Sequence, residues 1–272
     1  MSRIGAWRVR EGLCGLLGLV LFGQGYVAAQ TVEPEAAGNG RVPLAAVTSK
    51  AEGTERAGNA EAYYRFMRSL LAEQAGDYQV AITWQKGALH VDPRSVVMHN
   101  HLAFLYMKRG DVRSAINAGE DALALDPKNL PSHLLLAGVY QSLHNLPAAE
   151  RYLREAVDLN PSRTETYLQL AALYAEVKRA QEAIAVYRKA LDVDPGSLVA
   201  RYNLGRLYLE EGQPEQASQL FQEILERDSD FDPALAALGM SLEAQGRLDE
   251  AREIYQRALE GDPRNRELRE RL

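Results

Sequence analysis

The sequence predicts an all-α protein, a stack of six 34-residue helix-turn-helix units closed by a short C-terminal capping helix. Two observations lead to it. Pro93, Pro127, Pro161 and Pro195 follow one another at intervals of 34 residues, and Pro263 falls two intervals further on; self-similarity at such a period marks a stacked repeat. Alanine (39) and leucine (38) make up more than a quarter of the 272 residues, against 6 isoleucines and 17 valines, so helix formers far outnumber the β-branched residues that favour strands. Apolar residues at 46% and charged residues at 25% are ordinary for a globular chain and exclude wholesale disorder.

The first element is an export signal over residues 1–29. Arg3, Arg8 and Arg10 precede an apolar run from Leu13 to Phe22, and Val27, Ala28 and Ala29 fit the small-residue pattern before a cleavage point. The run is about ten residues, short of the roughly 20 a membrane span needs, although an uncleaved anchor is the other reading of the same segment. The expected location is therefore periplasmic or secreted. Cys14 is the only cysteine and lies inside this segment, so the mature chain would hold no disulfide, thiolate metal site or cysteine nucleophile. Cleavage would also remove three arginines and Glu11, taking the net charge from −6 to −8. Residues 30–61 carry Pro34, Pro43 and several glycines with few large apolar residues, and are expected to form a disordered linker. A short partner-binding segment from Val42 to Val47 is the second reading of part of it.

Placing each proline at position 32 sets the units at 62–95, 96–129, 130–163, 164–197, 198–231 and 232–265. Residues that did not define the frame agree with it. Position 20 is Ala81, Ala115, Ala149, Ala183, Ala217 and Ala251, and position 8 is small in every unit, from Ser69 to Gly239. Positions 4, 7, 8 and 11 share one stripe of a first helix, and 20, 24, 27 and 28 one stripe of a second. The small residue at 8 is expected to oppose the small residue at 20 where the helices cross. Gly76, Gly110, Gly212 and Gly246 at position 15 supply the left-handed residue that ends the first helix. Asp or Asn at position 16 caps the second helix in three units. Pro131, Pro147, Pro214 and Pro233 fall where helices begin, at positions whose N–H groups are unpaired anyway. Ile224 and Ser229 depart from the pattern, which predicts a shifted packing angle around residues 229–233. Leu268 and Leu272, four apart amid charges, suit a cap over residues 266–272.

Tyr167, Leu170, Ala171 and Tyr174, then Ala183 and Tyr187, then Pro195 resemble the tetratricopeptide signature W-x-x-L-G-x-x-Y, A-x-x-x-F and P. Leu204, Gly205, Tyr208, Ala217 and Phe221 repeat it in the fifth unit, and the resemblance spans residues 62–265. It implies a right-handed α-solenoid whose first helices line a concave groove through positions 2, 5, 6, 9, 12 and 13. Mapped onto this chain, those positions in the N-terminal half include Tyr63, Phe66, Met67, Leu70, Asn100, His101, Phe104, Met107, Leu134 and Leu135. The C-terminal half is more polar, with Tyr202, Asn203 and Arg206. An apolar patch rimmed by polar groups marks a partner site, and a methionine pair adapts to varied contacts. Family members that clamp a C-terminal carboxylate use lysine, asparagine and basic groups where this chain has Phe66, Leu70, His101, Pro131 and Leu135, so the resemblance does not extend to that activity.

No residue set for catalysis emerges. The sequence has no phosphate loop, nucleophile elbow or H-E-x-x-H motif. His99 and His133 occupy position 4 of successive units, about 10 Å apart in a stack, too far for shared ligation of a metal at about 2 Å. No metal, cofactor or small-molecule substrate is expected, and a net acidic chain without a basic run argues against nucleic acid. The expected function is a non-enzymatic protein-interaction scaffold or adaptor of the cell envelope, binding a partner peptide or helix in its groove. A component of an envelope secretion, pilus or polysaccharide machine, assembling with a membrane-associated complex in a pilotin-like role, is the alternative.

Overall fold

The 34-residue period becomes two antiparallel helices because each unit carries two amphipathic stripes separated by a stop signal. A computed structural model describes residues 50–272, with side chains from residue 59, and every regular element among them is helical. The first helices of the six units are α1 (Lys50–Gln74), α3 (Val96–Arg109), α5 (Leu130–Ser142), α7 (Thr164–Glu176), α9 (Leu198–Glu210) and α11 (Asp232–Ala244). The second helices are α2 (Tyr78–Val91), α4 (Val112–Leu125), α6 (Leu146–Leu159), α8 (Ala180–Val193), α10 (Pro214–Leu225) and α12 (Leu248–Gly261), followed by the short α13 (Arg266–Arg271). Each helix packs on the next, so that every second helix lies between the first helix of its own unit and that of the following one. The result is a one-dimensional stack in which burial is shared between neighbours.

The stop between the helices is stereochemical. Gly76, Gly110, Gly212 and Gly246 all adopt positive φ, between 70° and 81°. His144 and Lys178 fill the same position 15 in the third and fourth units and are forced into that region too, at φ 53° and 63°. A side chain there crowds the following carbonyl. Asp77, Asp111 and Asn145 then accept a backbone N–H three residues on, as expected from position 16. Between units the turn is built by position 31, where Asp92, Asp126, Asn160, Asp194, Asp228 and Asp262 each accept the N–H two residues ahead at 2.9–3.3 Å. That carboxylate or amide closes a side-chain turn in place of a backbone one.

A second recurrent bond ties consecutive units. The carbonyl of the position-32 proline faces the side chain at position 4 of the next unit. His99 and His133 meet it through Nε2 at 3.0 Å, the Tyr167 hydroxyl donates at 3.1 Å, and Arg201 Nη2 donates at 2.7 Å. Three residue types, histidine, tyrosine and arginine, serve the same carbonyl. Both position-4 histidines are thereby structural.

The small residue at position 8 meets position 20 as expected in the first unit, where the Ser69 hydroxyl donates to the Ala81 carbonyl at 2.9 Å, and the alanines at position 20 are buried. In the last two units position 8 must also make room for position 24. A Cβ placed on Gly239 would lie 2.3 Å from the Tyr255 ring, and one on Gly205 would lie 2.8 Å from Phe221. In these two units glycine at 8 leaves room for the aromatic at 24, whereas the fourth unit combines Ala171 with Tyr187. At the fifth junction, where the shifted angle is expected, the structure has a shortened helix. α10 has 12 residues where the other second helices have 14, and it ends at Leu225 with Ile224 fully buried. Phe231 then reaches back to Tyr202, ring centroids 5.9 Å apart.

α13 covers the last unit as predicted, burying Leu268 and pairing Arg271 with Glu243 at 2.7 Å. α1 begins at Lys50, upstream of the expected start at 62. The linker expectation is corrected over residues 50–61, where alanine and glutamate outweigh Gly53 and Gly58 in helix propensity. The expected signal over 1–29, and the remainder of the linker with its Val42–Val47 segment, lie outside the described residues.

Two stability outcomes follow from these backbones. His144→Gly and Lys178→Gly should each raise unfolding free energy by about 0.5–1 kcal/mol, because glycine adopts positive φ without steric cost. Denaturant titration checks this. Gly239→Ala should lower the melting temperature, since overpacking of about 1–3 kcal/mol exceeds the roughly 1 kcal/mol gained in helix propensity. Gly138→Ala, which meets nothing within 4 Å, should raise it in the same assay.

Candidate functional site

Two pairs of successive first helices touch, α3 with α5 and α9 with α11, and among the described residues no pair of second helices is in comparable contact. The first helices thus form the inner row of the stack, and positions 2, 5, 6, 9, 12 and 13 face along it. At the N-terminal end this row is apolar. Phe66, Met67, Leu70, Phe104, Met107 and Leu135 are all half-buried, with one side packed and the other open to solvent. Phe66 packs on the cluster of Ala62, Ala88 and Met98, while Met107 and Leu135 pack on the cluster around Leu105 and Tyr106. Tyr63 at position 2 is the most open of the predicted residues, with 61% of its surface exposed. Such half-buried side chains are anchored from below and offer a ready apolar contact above.

Two predicted groove residues belong to the interior. Leu134 is 6% exposed and packs within the large central cluster. His101 is 2% exposed, with Nδ1 2.9 Å from Gln85 Oε1 and Nε2 2.7 Å from Glu73 Oε2. Gln85 donates its own N–H to the Met98 carbonyl at 2.7 Å, which orients the amide and presents its oxygen to the ring. The histidine links three helices beneath the groove and supports Phe66, whose ring meets it edge-on at 5.3 Å. Asn100 is also committed, donating to Asn129 at 3.1 Å and accepting from Ser132 at 2.8 Å. Sequence reasoning missed Lys108, whose ammonium sits 5.2 Å from the Phe104 ring centre and puts a cation at the edge of the apolar row. Its place at position 13 of the same helix was the available signal.

In the C-terminal half Tyr202 is half-buried between Phe221 and Phe231 and bears Arg206 over its ring at 6.0 Å. Arg206 is exposed and pairs with Glu210 at 3.4 Å, and Asn203 beside it is half-buried. This stretch presents polar groups over an aromatic base, so the inner row changes character along its length.

The strongest charge cluster lies elsewhere, at the turn between the helices of the fourth unit. Arg179 pairs with Glu150 of α6 and with Glu182, Tyr174 donates to Glu150 at 3.0 Å, and Arg154 donates to Tyr174 at 3.0 Å. Burial pushes the Glu150 carboxyl up, but hydrogen bonds from Arg179 and Tyr174 outweigh it and hold the group below the usual 4.5. Beside them an open depression of about 270 Å³ is lined by Leu146, Pro147, Leu173 and Val177. The charges at its rim are matched to each other. Among the described residues no group of histidine, cysteine or acidic side chains could hold a metal ion, and no helix is long and apolar enough to cross a membrane.

Comparison with known proteins bears on the repeat. The tetratricopeptide repeat family matches residues 107–174, 174–240 and 232–272, more than half of the chain. No curated protein matches at a significant level. Among solved structures the chain is similar to MamA, with 24% identity and a TM-score of 0.56 over 62% of this chain and 92% of that one. It is similar to PilF of Pseudomonas aeruginosa, with 19% identity and a TM-score of 0.61 over 79% and 97%. YrrB, a tetratricopeptide protein with an unusual peptide-binding site, aligns at 17% identity and a TM-score of 0.56 over 68% and 94%. At these identities the likeness is one of fold.

The Glu150 cluster sets a pH response. The fold favours its ionised form, so its stabilisation is present above the unfolded value near 4.5 and is lost as pH falls through the depressed one. Arg179→Ala should lower the melting temperature at neutral pH and flatten its decline between about pH 5 and pH 3 relative to wild type. Thermal melts across that range check both.

Proposed function

The chain belongs to the tetratricopeptide repeat family, and from that premise we propose that it is a non-enzymatic scaffold or adaptor of the cell envelope that holds an apolar segment of a partner protein. The observation that carries this reading is the half-buried row of Phe66, Leu70, Phe104, Met107 and Leu135 on the inner face of the first units. Tetratricopeptide domains generally bind protein or peptide partners, and an inner face of this kind favours a short helix or extended strand with apolar side chains on one side. Lys108 at its edge favours an acidic residue beside them. The envelope location rests on the N-terminal arginines, the short apolar run and the Val27, Ala28 and Ala29 triplet.

The test has two parts. Affinity capture with the mature chain, followed by mass spectrometry, identifies the partner; capture of a membrane-complex subunit would narrow the scaffold to a secretion, pilus or polysaccharide machine. Phe104→Ala combined with Met107→Ala should then weaken binding of that partner by about 30-fold or more, the loss expected of about 2 kcal/mol at a hot spot. Helical circular dichroism should not change. Undiminished affinity in the double variant would reject the groove.

A further inference from the structure

Each first helix after α1 buries positions 3, 7 and 10 against the second helix of the preceding unit. Met98, Leu102 and Leu105 do so in the second unit, and Thr166, Leu170 and Leu173 in the fourth. In α1 the same positions are Tyr64, Arg68 and Leu71, and they are open, Tyr64 at 52% and Leu71 at 57% exposure. The Trp84 ring of α2 lies beside them, 6.2 Å from the Tyr64 ring and under the Arg68 guanidinium at 5.1 Å. This is an apolar and aromatic end face, separate from the inner row. The opposite end is closed: α13 buries Leu268, pairs Arg271 with Glu243 and exposes Arg266, Arg269 and Glu270. A head-to-tail filament would set the open face against that charged cap.

We propose that this end face is the interface of a two-fold dimer, in which α1 of a second copy occupies the place a preceding second helix would take. Two features select a second copy. A two-fold axis perpendicular to α1 brings the two α1 helices together antiparallel, the direction in which every later first helix meets its preceding second helix. The stripe itself is self-complementary. Glu61, Tyr64, Arg68 and Leu71 follow at intervals of 3, 4 and 3 residues on one side of the helix. Antiparallel pairing centred beside Tyr64 sets Glu61 of each copy against Arg68 of the other, so one contact is made twice, as a closed isologous interface requires. The Tyr64 and Trp84 rings supply the aromatic centre that such interfaces favour.

Light scattering on the full chain should give the mass of two copies at micromolar concentration. Leu71→Glu should give one copy with the same helical circular dichroism. Glu61→Arg and Arg68→Glu should each give a single copy, and the two together should restore the pair, because the swapped charges face each other again. Phe104→Ala with Met107→Ala should remain dimeric, which keeps this result independent of the groove. A wild-type chain that is monomeric at all concentrations, or that associates only with a different protein, overturns the proposal. So does a Leu71→Glu chain that stays dimeric, and so does failure of the double charge swap to restore the dimer.

Discussion

The structure depends on one constraint: a pair of helices about 20 Å long cannot bury the apolar stripes it carries. A first helix needs its own second helix on one side and the second helix of the preceding unit on the other. Burying a leucine is worth about 1.5–3 kcal/mol, and each later unit buries two or three apolar side chains through positions 3, 7 and 10 alone. Cohesion therefore sits in the junctions. The bond from position 4 to the preceding proline carbonyl reinforces this, since it ties the start of each of these first helices to the turn that ends the unit before it.

Turns make the constraint workable by fixing where one helix stops and the next starts. The αL residue at position 15 and the Asx turn at position 31 are local devices, independent of what packs around them. Units can therefore vary their side chains widely. Position 4 is histidine, tyrosine, arginine or leucine, yet the second helices keep 14 residues except at the fifth junction, where Ser229 replaces the proline and α10 is two residues shorter.

Local devices were legible in the sequence, and properties of junctions were less so. Glycine at position 15 announces positive φ because only that residue tolerates it freely. His144 and Lys178 carry no such mark, and the period alone places them there. The same distinction explains the groove. Phe66, Leu70 and Met107 lie half-buried at positions that helical geometry assigns to the inner row. His101, at position 6, is three residues from position 3 and one from position 7, at the edge of the face turned toward the preceding unit. Whether it is covered depends on how closely α1 and α2 approach, and Gln85 and Glu73, both outside its own helix, decide that. Leu134 is buried for a comparable reason, as a member of a cluster that runs across several units.

The burial of His101 makes the first junction different from the others. In the second unit a polar ring stands where later units place leucine, glutamine, asparagine or alanine, and it is satisfied by groups from the unit before it. A buried polar network is costly when incomplete and rigid when complete. Phe66 rests against that ring, so the orientation of the groove's first aromatic is coupled to the hydrogen bonds of the junction beneath it. Among the described residues α1 is also the first helix whose outer face has no preceding unit against it. Whatever packs on Tyr64 and Leu71 presses on the helix that carries Phe66 and Glu73. The end face and the inner row, although separate surfaces, therefore share one mechanical element in α1.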